Sequence, residues 1–261
     1  MSPPTETILS EEVRVASWLT SFADVSDPAC ELVCFPHAGG GSSVFQTWHQ
    51  HTDALRVSAI RLPGRESRLR EPAIADLGEL VEALATALVR LPEKPYAFYG
   101  HSMGALVAFE LTRKFRALGL PLPRGLFVAG MDAPQQLDLD RAHDLPRDEL
   151  VAWLIGVNGL SPEVLEYPAL IDLMLPTIRA DLAVVEDYDF QQQPPLPVPI
   201  HVLRGRADVQ VTVEGCDGWS ALTDAGCRVT DFDGDHFFVE QREKDIVRLI
   251  EADLIAERAQ R

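Results

Sequence analysis

The chain has 261 residues, 46% hydrophobic and 24% charged, a composition that excludes a disordered chain, a fibrous repeat and a disulfide scaffold. Its 23 basic and 40 acidic residues leave a formal charge of −17, which excludes nucleic acid as a bulk partner, because phosphate binding needs concentrated positive charge. No apolar run approaches the roughly 18 residues that cross a bilayer, and the opening MSPPTETILSEE lacks the features of a secretory leader, so a cytoplasmic protein without membrane contact is expected.

In chain order, short apolar runs alternate with helix-period segments. Strands are predicted at 32–35, 57–62, 96–99, 126–129, 200–203 and 228–232. Helices are predicted at 43–55, 77–91, 103–118, 213–223 and 243–255. Most of the strands are almost continuously apolar, as in a parallel sheet covered on both faces. The βα alternation gives an α/β fold, a mostly parallel central sheet flanked by helices. The stretch 146–190 breaks this rhythm. It carries no strand signal, and helix patterns punctuated by Gly159, Pro162, Pro168 and Pro176 run through it. It is too rich in Leu, Ile, Val and Met for a solvated loop, so it reads as a helical insertion over the carboxyl edge of the sheet, within one domain spanning 1–261. Cys30, Cys34, Cys216 and Cys227 have no paired C-x-x-C spacing and read as reduced packing residues, with no metal site.

Gly100-His101-Ser102-Met103-Gly104 matches G-x-S-x-G, between the strand at 96–99 and the helix at 103–118. A sharp strand-to-helix turn needs small residues at Gly100 and Gly104, and it lifts the Ser102 hydroxyl clear of the sheet. This is the nucleophile elbow of an α/β-hydrolase. A serine hydroxyl needs a base, itself oriented by an acid, and in this fold the chain order is Ser, acid, His. Of the downstream histidines, His143 comes too early and His201 sits inside a strand. His236, in the loop after the strand at 228–232, is assigned as base. Asp208, after the strand at 200–203, is assigned as acid, ahead of Asp233 and Asp235, which share the short loop of His236. The oxyanion hole needs two backbone donors. These are Met103, directly after the nucleophile, and Ala38, in the glycine-rich loop Pro36-His37-Ala38-Gly39-Gly40-Gly41.

These motifs resemble those of the stand-alone type II thioesterases of polyketide and nonribosomal peptide synthetases. The resemblance is carried by Leu32-Val-Cys-Phe-Pro-His-Ala-Gly-Gly, Leu62-Pro-Gly-Arg-Glu-Ser-Arg, Tyr99-Gly-His-Ser-Met-Gly-Ala, Pro176-Thr-Ile-Arg-Ala-Asp-Leu and Gly234-Asp-His-Phe-Phe. It implies hydrolysis of acyl thioesters on the phosphopantetheine arm of acyl or peptidyl carrier proteins, clearing stalled or aberrant groups or releasing intermediates. It implies a Ser102–Asp208–His236 triad, oxyanion amides at Ala38 and Met103, and an insertion that acts as a lid over the acyl chamber. No metal or cofactor is expected, and a monomer is. The same triad would also serve acyl transfer or cyclisation with another acceptor, or a small-ester esterase.

Two departures from the family pattern lie close to the site. Gly130-Met131-Asp132-Ala-Pro-Gln stands where relatives carry basic residues and Ala-Pro-His. The acid loop Arg206-Ala-Asp208-Val lacks the second aspartate that often follows the first. Arg61, Arg65, Arg68 and Arg70 against Glu66 form a local basic cluster, either a guide for the carrier and its phosphate or a set of internal pairs.

Overall fold

A computed structural model describes residues 17–89 and 95–259; the opening twelve residues and the last two of the helix expected at 77–91 lie outside them. Seven strands form one sheet: β1 (Leu19–Ser21), β2 (Cys30–Phe35), β3 (Leu55–Ile60), β4 (Tyr96–His101), β5 (Leu126–Ala129), β6 (Ile200–Gly205) and β7 (Cys227–Phe232). Their order is β1-β3-β2-β4-β5-β6-β7. Only β1 runs antiparallel to its neighbour; the remaining pairings are parallel. The helices are α1 (Leu77–Ala87), α2 (Met103–Ala117), α3 (Arg147–Gly156), α4 (Pro162–Leu165), α5 (Pro168–Glu186), α6 (Val213–Asp217) and α7 (Phe238–Ala259). The expected α/β-hydrolase architecture is the observed one.

The continuous apolarity of the strands has a direct cause. Val33, Phe35, Phe98, Val128 and Val202 point into one core with α1 and α2. The intervening Leu32, Cys34, Tyr99, Phe127 and Leu203 point into a second core with α7. Strand side chains alternate between faces, so a sheet buried on both sides needs apolar residues at every position.

Three expectations are corrected. The helix expected at 43–55 is two 3-10 turns, Ser42–Phe45 and Trp48–His51, followed directly by β3. Phe45 and Trp48 bury against Tyr99, with ring centroids 5.9 and 4.7 Å away, but the Thr52 hydroxyl accepts the Ala54 and Leu55 amides at 3.2 and 3.0 Å. That side-chain capture turns the chain into the strand before a helix can propagate. The helix expected at 213–223 stops at Asp217 and continues as a 3-10 turn, Gly218–Leu222, because glycine weakens a helix. Pro176 does not punctuate: α5 runs straight through it, whereas Pro162 and Pro168 open α4 and α5 as expected. A mid-helix proline costs about 3 kcal/mol. Long-range anchors hold α5 beyond it, beginning with the Thr177 hydroxyl, which donates to Gly64 O at 2.8 Å. The three-residue edge strand β1 is too short for its pattern to be read.

Between β5 and β6 the insertion builds a small core of its own from Ala142, Leu150, Leu154, Leu160, Ile171, Leu175 and Ile178. Among the described residues no helix is long and apolar enough to cross a membrane.

Candidate active site

Parallel strands share one carboxyl end, and loops leaving that end bring together residues far apart in sequence. The register aligns Phe35 with Gly100, His101 with Ala129, and Gly205 with Phe232. The glycine loop, the serine elbow, Asp132, Asp208 and His236 therefore leave neighbouring strand ends.

Ser102 sits at φ 53° and ψ −121° at the mouth of α2, a strained conformation for a residue with a side chain. The surroundings enforce it. A Cβ on Gly100 would lie 2.2 Å from Gly104 O, and one on Gly104 would lie 2.2 Å from Phe35 O. The Ser102 amide donates to Ala129 O at 2.8 Å, which pins the elbow between β2 and β5. Met103, the first residue of α2, carries one of the amides that a helix leaves without an internal partner.

Asp208 is the carboxylate on His236. His236 Nδ1 donates to Asp208 Oδ2 at 2.9 Å, with side chains 7% and 0% exposed. This bond fixes the proton on Nδ1 and leaves Nε2 as the basic nitrogen. Asp208 Oδ1 accepts the Gln210 amide at 2.9 Å. Asp235, the sequence-adjacent rival, is engaged elsewhere: it accepts the Phe237 amide at 2.9 Å and the Asn158 side-chain amide at 3.2 Å. The acid and base turns are laced together by Ala207 N–H on Gly234 O at 2.9 Å. Only a glycine fits at Gly205, where a Cβ would lie 2.4 Å from Asp235 O.

Ser102, His236 and Ala38 line one cavity of about 170 Å³, together with Trp153, Met174 and Leu182 of the insertion. In the glycine loop the Gly39 amide donates to Asp181 at 2.7 Å and the Gly40 amide to His37 O at 2.9 Å. The two amides that follow Ala38 in the loop are thus engaged within the protein.

Sequence reasoning did not assign a role to several supporting residues. His101 is fully buried, and its Nε2–H donates to the His236 carbonyl at 2.8 Å. Burial and the neighbouring His236 and His37 hold its pKa well below the ordinary value, so it stays neutral and keeps that donor. Glu66 accepts from Ser42 and Ser43. Burial pushes its carboxyl up, but these hydrogen bonds outweigh that and hold it low. At the departure from the family pattern, Asp132 accepts the Thr212 amide and hydroxyl at 2.9 and 3.2 Å. It thereby fastens the far end of the acid loop. Burial raises its carboxyl pKa.

The basic cluster resolves largely into internal pairs. Arg65 is buried against Asp181. Arg68 bonds Glu71 and the Arg61 carbonyl and lies 4.1 Å over the Trp18 ring.

The imidazoles carry a pH consequence. Burial, with His236 and Arg65 nearby, lowers His37 from 6.5 to about 4. Between those values the unfolded chain binds more protons, so this stabilisation is complete above about pH 6.5 and is lost as pH falls towards 4. At about 1.4 kcal/mol per pKa unit, the wild type is expected to lose on the order of 2–3 kcal/mol more than His37→Gln between pH about 7.5 and about 4.5. Denaturant titrations of both proteins at the two pH values measure the difference.

The elbow, its sheet and the Asp208–His236 pair define the α/β-hydrolase class. Residues 30–254 match the family model described as a thioesterase domain. The chain belongs to the thioesterase family, as its motifs led one to expect. It is 34% identical to the gramicidin S biosynthesis protein GrsT of Aneurinibacillus migulanus, covering 91% of this chain and 93% of that one. Among solved structures it resembles RedJ, a thioesterase from the prodiginine biosynthetic pathway in Streptomyces coelicolor. That match has a TM-score of 0.82 and 35% identity, covering 87% of this chain and 86% of RedJ. BorB, a type II thioesterase from the borrelidin biosynthetic cluster, superposes with a TM-score of 0.83 at 33% identity, covering 91% and 98%.

Proposed function

We propose that this chain hydrolyses acyl groups from the phosphopantetheine arm of an acyl or peptidyl carrier protein in polyketide or nonribosomal peptide synthesis, clearing stalled or aberrant intermediates. The observation that carries this reading is the buried Asp208–His236 pair, whose histidine lines the same cavity as Ser102, in a chain of the thioesterase family.

His236 Nε2 takes the Ser102 proton as the hydroxyl oxygen attacks the thioester carbonyl. The tetrahedral oxyanion rests on the Ala38 and Met103 amides. The C–S bond breaks, and the pantetheine thiol leaves with the proton from His236. Water then attacks the Ser102 ester with His236 again as base, releasing the carboxylic acid and restoring the serine. The steps require no metal and no cofactor beyond the arm that carries the substrate. The insertion serves as the lid of the acyl chamber, and the enzyme acts as a cytoplasmic monomer on a carrier that comes to it.

The test is intact mass spectrometry of carriers loaded with short and long acyl chains. Conversion to free thiol carrier plus carboxylic acid supports the reading. Release as a cyclised or transferred product replaces hydrolysis with offloading, and cleavage of simple aryl esters with every carrier left loaded overturns it.

Trp153 is the bulkiest side chain lining the chamber. Trp153→Ala is expected to raise kcat/KM for long acyl chains relative to acetyl by about tenfold, since apolar pocket volume discriminates chain length by about 1–3 kcal/mol per methylene. Competition between two loaded carriers, read by mass, checks the ratio.

A further inference from the structure

The motifs at 62–68 and 176–182 lie far from Ser102 in sequence, and the mechanism uses neither. In the structure they meet beneath the glycine loop. Asp181 on α5 and Arg65 form a two-pronged pair, with Nη1 to Oδ2 at 2.6 Å and Nη2 to Oδ1 at 2.7 Å. The side chains are 9% and 3% exposed for Arg65 and Asp181. Both partners also reach the backbone next to Ala38. Asp181 Oδ2 accepts the Gly39 amide at 2.7 Å, and Arg65 Nη1 donates to Gly40 O at 2.9 Å. Gly39 itself has φ +78°, and a Cβ there would lie 3.1 Å from Ile178 on α5.

We propose that Asp181 and Arg65 are positioning residues that latch the oxyanion loop to the insertion, so that the Ala38 amide reaches its working place only while α5 is seated. This rests on the thioesterase reading above. The physical basis is the cost of a buried charge: either ion alone in this site is strongly unfavourable, so the pair and the loop it grips hold one arrangement. The same helix carries Met174, Ile178 and Leu182 along the acyl chamber. Chamber wall and oxyanion donor therefore move as one body.

The test uses Ser102 labelling by a fluorophosphonate together with steady-state turnover of an acyl-carrier. Asp181→Asn keeps the shape but loses the charge, and it is expected to lower both kcat and the labelling rate by about 100-fold with KM nearly unchanged, the cost of a misplaced donor. Thr223→Val removes a buried hydroxyl bonded to the Leu196 and Val198 carbonyls, away from α5 and the glycine loop. It is expected to lower the melting temperature while leaving both rates near wild type. Wild-type labelling in Asp181→Asn, or a raised KM with unchanged kcat, overturns the latch. Should Asp181→Asn fail to fold, the apolar pair Arg65→Met/Asp181→Leu, which strands no charge, carries the same expectation. Wild-type protein that itself resists the fluorophosphonate sinks the serine mechanism, an outcome distinct from failure of the latch alone.

Discussion

Ser102→Ala is expected to lower kcat on a loaded carrier by about 10⁶-fold, the scale on which loss of a triad nucleophile acts. In the proposed mechanism the hydroxyl oxygen is the atom that bonds to the acyl group. The Asp208–His236 pair would remain and so would the donors, so a residual rate of about 10³ over water is expected to persist. Binding should survive as well, because the apolar chamber and its wall of Trp153 and Met174 do not involve the hydroxyl. Single-turnover assays with a stoichiometric loaded carrier measure the loss. Turnover within about tenfold of wild type would remove Ser102 from the mechanism.

Asp208→Asn is expected to cost about 10⁴ in kcat with KM little changed. The reason is tautomeric. Asp208 Oδ2 accepts the Nδ1 proton of His236. An asparagine amide in its place donates towards that nitrogen, moves the imidazole proton to Nε2 and abolishes the base. The loop itself should hold, since the Gln210 amide bonds the other oxygen and an asparagine carbonyl accepts it equally. A paired thermal melt separates chemistry from folding. An equal loss in Asp235→Asn would move the acid to the rival position.

Much of this site was legible in sequence because a parallel sheet imposes a rule: functional residues leave the carboxyl ends of strands. Ser102 directly follows the buried strand β4, Asp208 and His236 lie in the loops just past β6 and β7, and chain order assigns the acid and the base. What stayed hidden was set by contacts between distant segments. Arg65 and Asp181 are 116 positions apart; their motifs stood out, but neither shows its partner. The arginine cluster left two readings open, carrier guide or internal pairs, because burial of Arg65 depends on a helix that arrives more than a hundred residues later. The helix expected at 43–55 failed because a threonine hydroxyl competes for backbone amides, a local chemistry that hydrophobic spacing does not register. The continuous α5 through Pro176 reverses the usual reading of proline for the same reason: Thr177 and Asp181 fasten the helix to Gly64 and Arg65, in the loop after β3.

The order of the strands has a consequence for assembly. The glycine loop, Ser102, Asp132, Asp208 and His236 follow β2, β4, β5, β6 and β7, which are consecutive neighbours across the sheet although the chain visits them over some two hundred residues. No fragment that omits an end of this span contains a working centre. The pairings that create it are non-local, the kind whose loop-closure entropy must be met before any contact rewards it. On the proposed mechanism, activity is thus a readout of global folding and should recover in refolding only as β7 docks and carries His236 into place.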